Sequence, residues 1–213
     1  MGGAGGLGTV WAWVSPWLGR AAAWTRARPG RTVAVGLIGL LPLWFLAVGL
    51  VLPWLLDGAR AVRADQQLDR YAPLIQAHAQ RAGLSEALVR TVVRAESSGR
   101  ADAVSPIGAR GLMQVTAITE RDVLQRNPEL TAGDLFDPDY NLRVGTTYLA
   151  YLLQRFEGDL TLALMAYHMG PTAVRRGEAK HPGLSPQQLL EVHAGPQTRA
   201  YVAKILRGYA DGG

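Results

Sequence analysis

The organisation of this chain follows from one stretch, RAESSGRADAVSPIGARGLMQV at residues 94–115. It contains the end of an apolar helix, a loop of small residues and a Gly-Leu-Met-Gln sequence. The helix is predicted to begin after Ser85, which suits an N-cap, and to end near Ser98, with Gly99 in the left-handed conformation that stops helices. The helix ends with one acid, Glu96, so the residues before the loop position this acid. The residues after the loop are predicted to form a cleft.

Glu96 shares one helix face with three valines. Val89, Val92 and Val93 lie seven, four and three residues before it, so all four side chains project from the same side. Apolar neighbours strip water from a carboxylate, and the negative end of the helix dipole opposes its charge, so both effects raise the pKa. An acid that keeps its proton near neutral pH can act as a general acid. The alternative is a solvated glutamate at a frayed helix end, since most glutamates are exposed.

The loop after this acid is rich in residues that let a backbone turn tightly and approach a ligand closely. They are Ser97, Ser98, Gly99, Ser105, Pro106, Gly108 and Gly111. A loop of this composition directly after Glu96 favours a ligand-binding role over a solvated helix end.

Four ordered blocks of residues stand between about Tyr71 and Leu206. They are Glu96-Ser97 with Ser105 and Gly108-Ala109-Arg110-Gly111-Leu112-Met113-Gln114; Asp137-Pro138 with Asn141, Gly145 and Tyr148-Leu149; Ala166-Tyr167-His168-Met169-Gly170; and Tyr201-Val202. In order and spacing these blocks resemble the lytic transglycosylases with a goose-lysozyme-like, SLT-type catalytic domain, grouped as glycoside hydrolase family 23. The third block departs from the family, which has Ala-Tyr-Asn-Ala-Gly there.

The resemblance implies a mainly α, lysozyme-like domain in which one glutamate acts twice. That residue, here Glu96, first protonates the glycosidic oxygen and then acts as a base. The N-acetyl group of the substrate stabilises the charge at the anomeric carbon, and the C6 hydroxyl of the same sugar attacks. The MurNAc-GlcNAc β-1,4 bond of peptidoglycan is thereby cleaved without hydrolysis, which leaves a 1,6-anhydroMurNAc end.

The resemblance also implies a set of substrate-binding residues. They are Ser105, Met113, Gln114, Tyr167, His168 and Tyr201. Ser105 would bind the substrate or orient the acid, Met113 and Gln114 would line sugar subsites, and the two tyrosines would surround the scissile bond. His168 replaces the asparagine of the family with a bulkier ring that can gain a charge near pH 6.5. The alternative is that the methionine and both tyrosines are ordinary core residues and that the histidine is structural.

Three functions remain open at this level. Glycoside cleavage usually takes two carboxylates, and no second acid has an apolar setting like that of Glu96. The other acids nearby are Asp102, Glu120, Asp122, Asp134, Asp137 and Asp139. The chain is therefore a lytic transglycosylase, a hydrolytic muramidase that uses one aspartate to activate water, or a non-catalytic glycan-binding or scaffold module of an envelope-spanning machine. A desolvated acid argues against the last, because a binding module has no need of one.

Composition excludes several other classes of function. The chain has no cysteine, so it has no disulfide framework and no thiolate metal site, and we expect neither a metal nor another cofactor. Its net charge of +5 comes mostly from four arginines in residues 1–56, which contain no acid. The remainder holds 22 − 4 = 18 basic and 17 acidic groups and is nearly neutral. This distribution predicts no nucleic-acid partner.

Residues 32–56, TVAVGLIGLLPLWFLAVGLVLPWLL, carry no charge. At about 1.5 Å per residue they are long enough to cross a hydrocarbon core of about 30 Å, so we predict a single transmembrane helix. Pro42 can kink this span, whereas Pro53 lies near its end, where a break costs little. The four arginines before the span place the N-terminus in the cytoplasm.

The predicted organisation is a cytoplasmic or interfacial tail at 1–31, the transmembrane helix at 32–56, a juxtamembrane connector at 57–69 and the catalytic domain at 70–213. This arrangement predicts a single-pass protein of a bacterial inner membrane with its domain in the periplasm. The expected partners are peptidoglycan glycan strands, membrane lipid around the single helix and other cell-envelope machinery.

The domain is predicted to be a helical bundle without strands. The expected helices are one from Pro73 to Gly83, the Ser85 helix, Ile118–Arg126, a long helix from Pro138 to Gly158, a central helix Leu160–Met169, one from Ser185 to Val192, and a last helix capped by Thr198. His78, on the first of these, is predicted to lie at the surface or the edge of the core and not to bind a ligand.

Overall fold

The computed structural model describes residues 44–46, 48–56, 58 and 65–212, and the chain divides into two compact units, 1–59 and 60–213. In the first unit, residues 44–46 and 48–56 are helical and their large apolar side chains are exposed, as in Phe45 and Trp54. The rest of the predicted transmembrane helix and the predicted tail at 1–31 lie outside the described residues. No helix in the described parts is both long enough and apolar enough to cross a membrane.

The second unit is mainly α, as predicted. After a short helical segment at 65–70, its helices are α1 Ala72–Ala82, α2 Glu86–Glu96, α3 Ala117–Arg126, α4 Pro138–Arg155, α5 Leu160–Met169, α6 Pro171–Lys180, α7 Pro186–His193 and α8 Pro196–Gly212. Residues 65–212 contain no β-strand, and the loop before α3 is held by two isolated antiparallel bridges, Val104 to Arg110 and Arg110 to Val115.

Four helices begin at the predicted capping residues. The side-chain oxygens of Ser85, Asp137, Asp159 and Ser185 each accept a hydrogen bond from the backbone N–H three residues later. Ser185 and Gln188 form a complete capping box. Each such cap typically stabilises a helix by about 1 kcal/mol and fixes the point at which the chain enters the bundle.

Three local predictions are corrected by the structure. Helix α2 ends at Glu96 because the turn begins earlier than predicted, with Ser98 (φ 55°) and Gly99 (φ 77°) both left-handed. Thr198 lies inside α8, which begins at Pro196, and is therefore not its cap. Helix α6 was not predicted, because it is short and largely polar and buries only Val174 and Gly177.

The core is built around α5, which packs against α4, α6, α7 and α8. Residues 161–166 of this helix are all buried, which confirms the prediction of a central helix. The largest fully buried apolar side chains of the domain are Leu68, Ile75, Leu112, Met113, Leu142, Leu149, Leu152, Leu164, Met165 and Ile205.

His78 is buried in the interface between α1 and α4, contrary to the prediction of a surface or core-edge position. Only 1% of it is exposed, and its Nε2 lies 2.9 Å from Oδ1 of Asp139. Arg81 donates to Nδ1 at 3.1 Å, so Nδ1 is an acceptor and the ring proton lies on Nε2, which donates to Asp139. The imidazole is buried because both of its nitrogens have partners.

The end of the predicted connector contributes to the core. Leu68 is fully buried, and Asp65 and Asp69 form ion pairs with Arg94 and Arg90 on α2. The backbone of residues 67–68 also packs closely against Gly99, where a side chain would have little room. Residues 65–69 therefore support the turn that directly follows Glu96.

Candidate active site

A cleft of about 320 Å³ opens above the C-terminal end of α2. Its walls come from the loop after α2, the start of α3 and parts of α4, α5 and α8. The described residues that line it are Glu96, Ser105, Ile107, Ala109, Gln114, Val115, Thr116, Thr119, Tyr148, Tyr167, His168 and Gln197. Glu96 is the sole acid in this set.

Glu96 is kept largely out of water by the apolar face predicted from the sequence, since Val89, Val92 and Val93 are fully buried beside it. Burial raises the pKa of Glu96 from 4.5 to about 7. Two smaller effects act in the opposite direction, namely a hydrogen bond from Tyr201 and the positive charge of Lys204. At neutral pH the side chain is therefore divided between its acid and carboxylate forms, as a group that must both give and take a proton requires.

Tyr201 and Tyr167, both predicted to surround the scissile bond, have hydroxyl groups that donate hydrogen bonds near Glu96. The hydroxyl of Tyr201 donates to Oε1 of Glu96 at 2.6 Å, and the hydroxyl of Tyr167 donates to the carbonyl of Met113 at 2.8 Å. Burial raises the pKa of both phenols well above the usual value, and the charge of Glu96 adds to this effect. Both phenols are therefore neutral at any pH at which the acid titrates.

His168 lines the cleft at the position of the family's asparagine. Its ring lies 4.7 Å from that of Tyr201 at an interplanar angle of 38°, and its Nδ1 is 3.0 Å from Oγ1 of Thr198. Thr198, which was predicted to cap α8, thus holds this imidazole. Partial burial lowers the pKa of His168, which disfavours a positive charge on this ring in the cleft.

Ser105 and Gln114 both belong to the loop between α2 and α3, and both line the cleft. The Ser105 N–H donates to the carbonyl of Ala109 at 2.9 Å, and the Ala109 N–H donates to Oγ of Ser105 at 3.0 Å, which closes a tight turn. Gln114 has a left-handed backbone (φ 49°) and donates from Nε2 to the carbonyls of Ala103 and Gly111. Both residues line the cleft, and both also hold the loop in its shape.

Met113, which was predicted to line a sugar subsite, is not among the residues that line the cleft. It is fully buried against Gly145, where the absence of a side chain leaves room for the thioether. The backbone of Met113 instead connects the loop to its surroundings. Its N–H donates to Oδ1 of Asn141 at 2.8 Å and its carbonyl accepts from Tyr167.

Several lining residues were not identified from the sequence. Thr116 caps α3, so its hydroxyl already had a structural explanation, and Gln197 lies in the first turn of a helix whose start was misplaced. Ile107 is 83% exposed at the rim of the cleft, and no sequence signal marked it. For Tyr148, its place in the second motif block was the sequence feature that could have indicated a role in the site. Within the described residues, no group of three His, Cys, Asp or Glu side chains could hold a metal ion.

The curated proteins to which this chain is similar include lytic murein transglycosylases. The membrane-bound lytic murein transglycosylase F of Desulfosudis oleivorans is 34% identical over 161 residues, which cover 70% of this chain and 34% of that protein. The soluble lytic murein transglycosylase of Escherichia coli is 30% identical over 127 residues, which cover 58% of this chain and 20% of that protein. The chain thus spans about a third or less of the length of these relatives.

Solved structures of the same kind share the fold. An inactive mutant of the lytic transglycosylase Slt from Pseudomonas aeruginosa aligns with a TM-score of 0.59 at 31% identity, over 65% of this chain and 23% of that one. The 70 kDa soluble lytic transglycosylase of Escherichia coli aligns with a TM-score of 0.62 at 27% identity, over 66% and 23% of the two chains. A family model, the transglycosylase SLT domain, matches residues 73–189, which is more than half of the 213 residues, and this match shows that the chain belongs to the transglycosylase SLT domain family.

Proposed function

We propose that this chain is a membrane-anchored lytic transglycosylase that cleaves the MurNAc-GlcNAc β-1,4 bond of peptidoglycan without water and leaves 1,6-anhydroMurNAc ends. The observation that carries the proposal is the setting of Glu96. It is a partly buried acid with a pKa raised to about 7, and no second carboxylate lines its cleft.

In the first step, protonated Glu96 transfers its proton to the glycosidic oxygen as the bond from that oxygen to the anomeric carbon breaks. The leaving sugar departs with a hydroxyl group, and positive charge develops at the anomeric carbon. The carbonyl oxygen of the substrate's N-acetyl group can neutralise this charge from within the same sugar. The Tyr201 hydroxyl, 2.6 Å from Oε1, stabilises the Glu96 carboxylate that remains.

In the second step, the Glu96 carboxylate takes the proton of the C6 hydroxyl while that oxygen bonds to the anomeric carbon. The acid regains its proton and the product closes into the anhydro ring, so no water is consumed. A hydrolase that activates water with a second carboxylate would need an acid across the cleft. Asp102, six residues after Glu96, is exposed and does not line the cleft.

The remaining site residues have supporting roles in this proposal. Ser105, Gln114, Tyr167 and His168 line the cleft with polar groups that can hydrogen-bond an N-acetylated sugar. Met113 positions Tyr167 through its carbonyl. The relatives support the choice of catalytic group, since the Pseudomonas aeruginosa Slt described as inactive carries a glutamate-to-glutamine substitution.

The product separates this function from the hydrolytic alternative. Mass spectrometry of the fragments released from purified sacculi should show anhydromuramoyl ends, each lighter by one water than the reducing end that a muramidase leaves. A digest that contains only reducing ends would assign the chain to the muramidases. A protein that binds sacculi and releases nothing would be the non-catalytic module.

The hydrogen bond from Tyr201 leads to a prediction about pH. The bond favours the charged form of Glu96 and so lowers the pKa of that acid, whereas burial raises it to about 7. The first step needs the protonated acid, so the rate should fall as the pH rises through about 7. In Tyr201→Phe the Glu96 pKa should rise further, and the alkaline limb of a kcat/KM profile should move up by about one pH unit, because charge-assisted hydrogen bonds contribute about 1.5–3 kcal/mol.

Tyr209→Phe, in the same helix, is the matched control for that profile. Tyr209 is partly buried against the core but is not among the residues that line the cleft. Its removal should leave the limb unmoved. A limb that stays in place in Tyr201→Phe would show that another group controls the alkaline side.

Membrane anchoring is the second part of the proposal. It is supported by the uncharged run at 32–56 and by relatives that are named membrane-bound transglycosylases. The full chain should sediment with membranes and resist extraction by high salt, whereas a chain that begins at residue 57 should remain in the supernatant. Extraction of the full chain by salt alone would indicate a surface association instead.

A further inference from the structure

A second groove of about 400 Å³ adjoins the cleft on the side of α3 and α4. Thr119 and Tyr148 line both spaces, so the groove continues the cleft. Its other lining residues include Arg121, Asp122, Arg126, Tyr151 and Arg155. It includes neither Glu96 nor any residue to which the chemistry above gives a role.

Three tyrosine rings run from the cleft into this groove. The rings of Tyr167 and Tyr148 have centroids 5.7 Å apart, and those of Tyr148 and Tyr151 are 6.2 Å apart at an interplanar angle of 30°. A glycan strand bound at Glu96 therefore lies beside the entrance to the second groove. A substituent on that side of the strand would face the groove, because Thr119 and Tyr148 line both spaces.

The groove carries an excess of positive charge, with Arg121, Arg126 and Arg155 against Asp122, or 3 − 1 = +2. Arg126 is already engaged, since two of its nitrogens each lie 2.6 Å from an oxygen of Asp122 and its guanidinium lies 3.6 Å from the centre of the Tyr151 ring. Its charge is neutralised, and it holds that ring in place.

Arg121 and Arg155 differ from Arg126. Both are exposed, and no acidic side chain of residues 65–212 forms an ion pair with either of them. Arg155 is oriented by one nitrogen, which donates to the Tyr151 hydroxyl at 2.9 Å, and its other donors are available. A guanidinium group binds a carboxylate through two parallel hydrogen bonds, so these two side chains suit a carboxylate ligand.

We propose that this groove binds a carboxylate of the peptide carried by a muramoyl residue of the glycan strand, with Arg121 and Arg155 as the binding residues. The inference rests on the proposed function, because it takes its ligand from the strand that Glu96 would cleave. It deepens that function, since it makes the peptide substituent a determinant of which strands are cleaved.

The test uses the full chain with Arg121→Gln and Arg155→Gln combined. Arg70→Gln combined with Arg207→Gln removes two exposed arginines that line neither space and serves as the matched control. Three substrates are compared: strands with intact peptides, strands from which an amidase has removed the peptides, and strands whose peptide carboxylates have been converted to amides.

In the groove variant, the ratio of kcat/KM on intact strands to kcat/KM on peptide-free strands should fall about fivefold, as expected from the loss of two exposed charge pairs. The ratio of intact to amidated strands should fall equally, and the wild-type preference should weaken with added salt. The control pair should keep the wild-type ratios. Unchanged ratios in the groove variant would overturn the inference, as would an equal loss of rate on all three substrates.

A binding experiment keeps the inference separate from the proposed function. Dissociation constants are measured for a soluble disaccharide-peptide and for the bare disaccharide, in the Glu96→Gln background with and without the two arginine substitutions. A weaker affinity for the peptide-bearing ligand alone would support the groove even if wild-type protein cleaved no strand. Equal affinities in both backgrounds would reject the groove even if wild-type protein were an active transglycosylase.

Discussion

Replacing Glu96 with glutamine should reduce the release of soluble fragments from sacculi by about 10³-fold or more, because general acid and base catalysis typically contribute about 10²–10⁴ and one side chain here supplies both. Glutamine keeps the size of the side chain and can still accept the hydrogen bond of Tyr201, but it has no proton to give to the glycosidic oxygen. The measurement is the initial rate of fragment release by the full chain, together with a sedimentation assay of binding to sacculi. Binding should change little, since the substrate contacts lie elsewhere in the cleft.

Glu129→Gln and Asp102→Asn are the matched controls. Glu129 is an exposed glutamate between α3 and α4, and its loss should leave the rate unchanged. Asp102 is the acid nearest in sequence to Glu96, and its loss should matter only if it activates water. A rate that survives in Glu96→Gln would contradict both the transglycosylase and the muramidase hypotheses.

The same variant has a stability effect that shows whether it is folded. The pKa of Glu96 is about 7 in the folded chain against 4.5 for an ordinary glutamate, so the folded state resists ionisation. Below pH 4.5 the side chain is protonated in both states and costs nothing. Between pH 4.5 and about 7 the unfolded chain ionises first, and above that range the full penalty is present.

Glu96→Gln should therefore be more stable than wild type at pH 8 by roughly 3 kcal/mol, and similar at pH 4, because each pKa unit corresponds to about 1.36 kcal/mol. Urea-induced unfolding followed by far-UV circular dichroism measures this difference. A variant that is inactive and also destabilised at pH 8 would indicate a structural loss rather than a chemical one. Tryptophan fluorescence is unsuitable, since all six tryptophans lie at or before Trp54, outside the domain.

The features predicted from the sequence depend on neighbours in the chain. Ser85 and Asp159 cap helices because their side chains reach backbone N–H groups three residues later. The apolar face beside Glu96 follows from helical periodicity alone. Helix α6 was missed because its sequence lacks such a periodic pattern, since this short segment buries only Val174 and Gly177.

The features that were misjudged depend on distant partners. His78 is buried because Asp139, 61 residues later, accepts a hydrogen bond from its Nε2. The Met113 side chain lies in the core because Gly145 has no side chain that would fill this space. The hydrogen bond that Tyr201 donates to the acid spans 105 residues of sequence. The resemblance to a known family, rather than any local pattern, indicated that this tyrosine lies near Glu96.

Asn141→Ala should cause the largest loss of stability among single substitutions near the cleft. The side chain is fully buried and makes three hydrogen bonds to the backbone. Oδ1 accepts from the N–H of Met113 at 2.8 Å, and Nδ2 donates to the carbonyls of Arg110 at 2.9 Å and Leu135 at 2.8 Å. Alanine leaves the Met113 N–H and the Leu135 carbonyl without partners, whereas the Arg110 carbonyl keeps its hydrogen bond from the Val115 N–H. Each buried group without a partner costs about 1–3 kcal/mol, so the free energy of unfolding should fall by about 4 kcal/mol.

Asn127→Ala is the matched control for that loss. Its Nδ2 makes one hydrogen bond, to the carbonyl of Val123 at 2.7 Å, at the partly exposed end of α3. Removal of this single bond should lower the free energy of unfolding by about 1 kcal/mol, since the carbonyl can find water instead. A similar loss in the two variants would show that the network around Asn141 is not the source of its effect.

Asn141→Asp separates the donor role of this side chain from its acceptor role. Aspartate keeps an oxygen that can accept from the Met113 N–H. Its second oxygen, which can only accept, faces the carbonyls of Arg110 and Leu135, which accept hydrogen bonds from Asn141 in the wild type. Because a buried carboxylate facing carbonyl oxygens is costly, Asn141→Asp should be no more stable than Asn141→Ala above pH 7 and should recover stability as the pH falls and the carboxyl is protonated. The carbonyl of Met113 positions Tyr167, so kcat on intact strands should recover over the same range. A variant whose stability does not depend on pH would show that the loop does not need the donor.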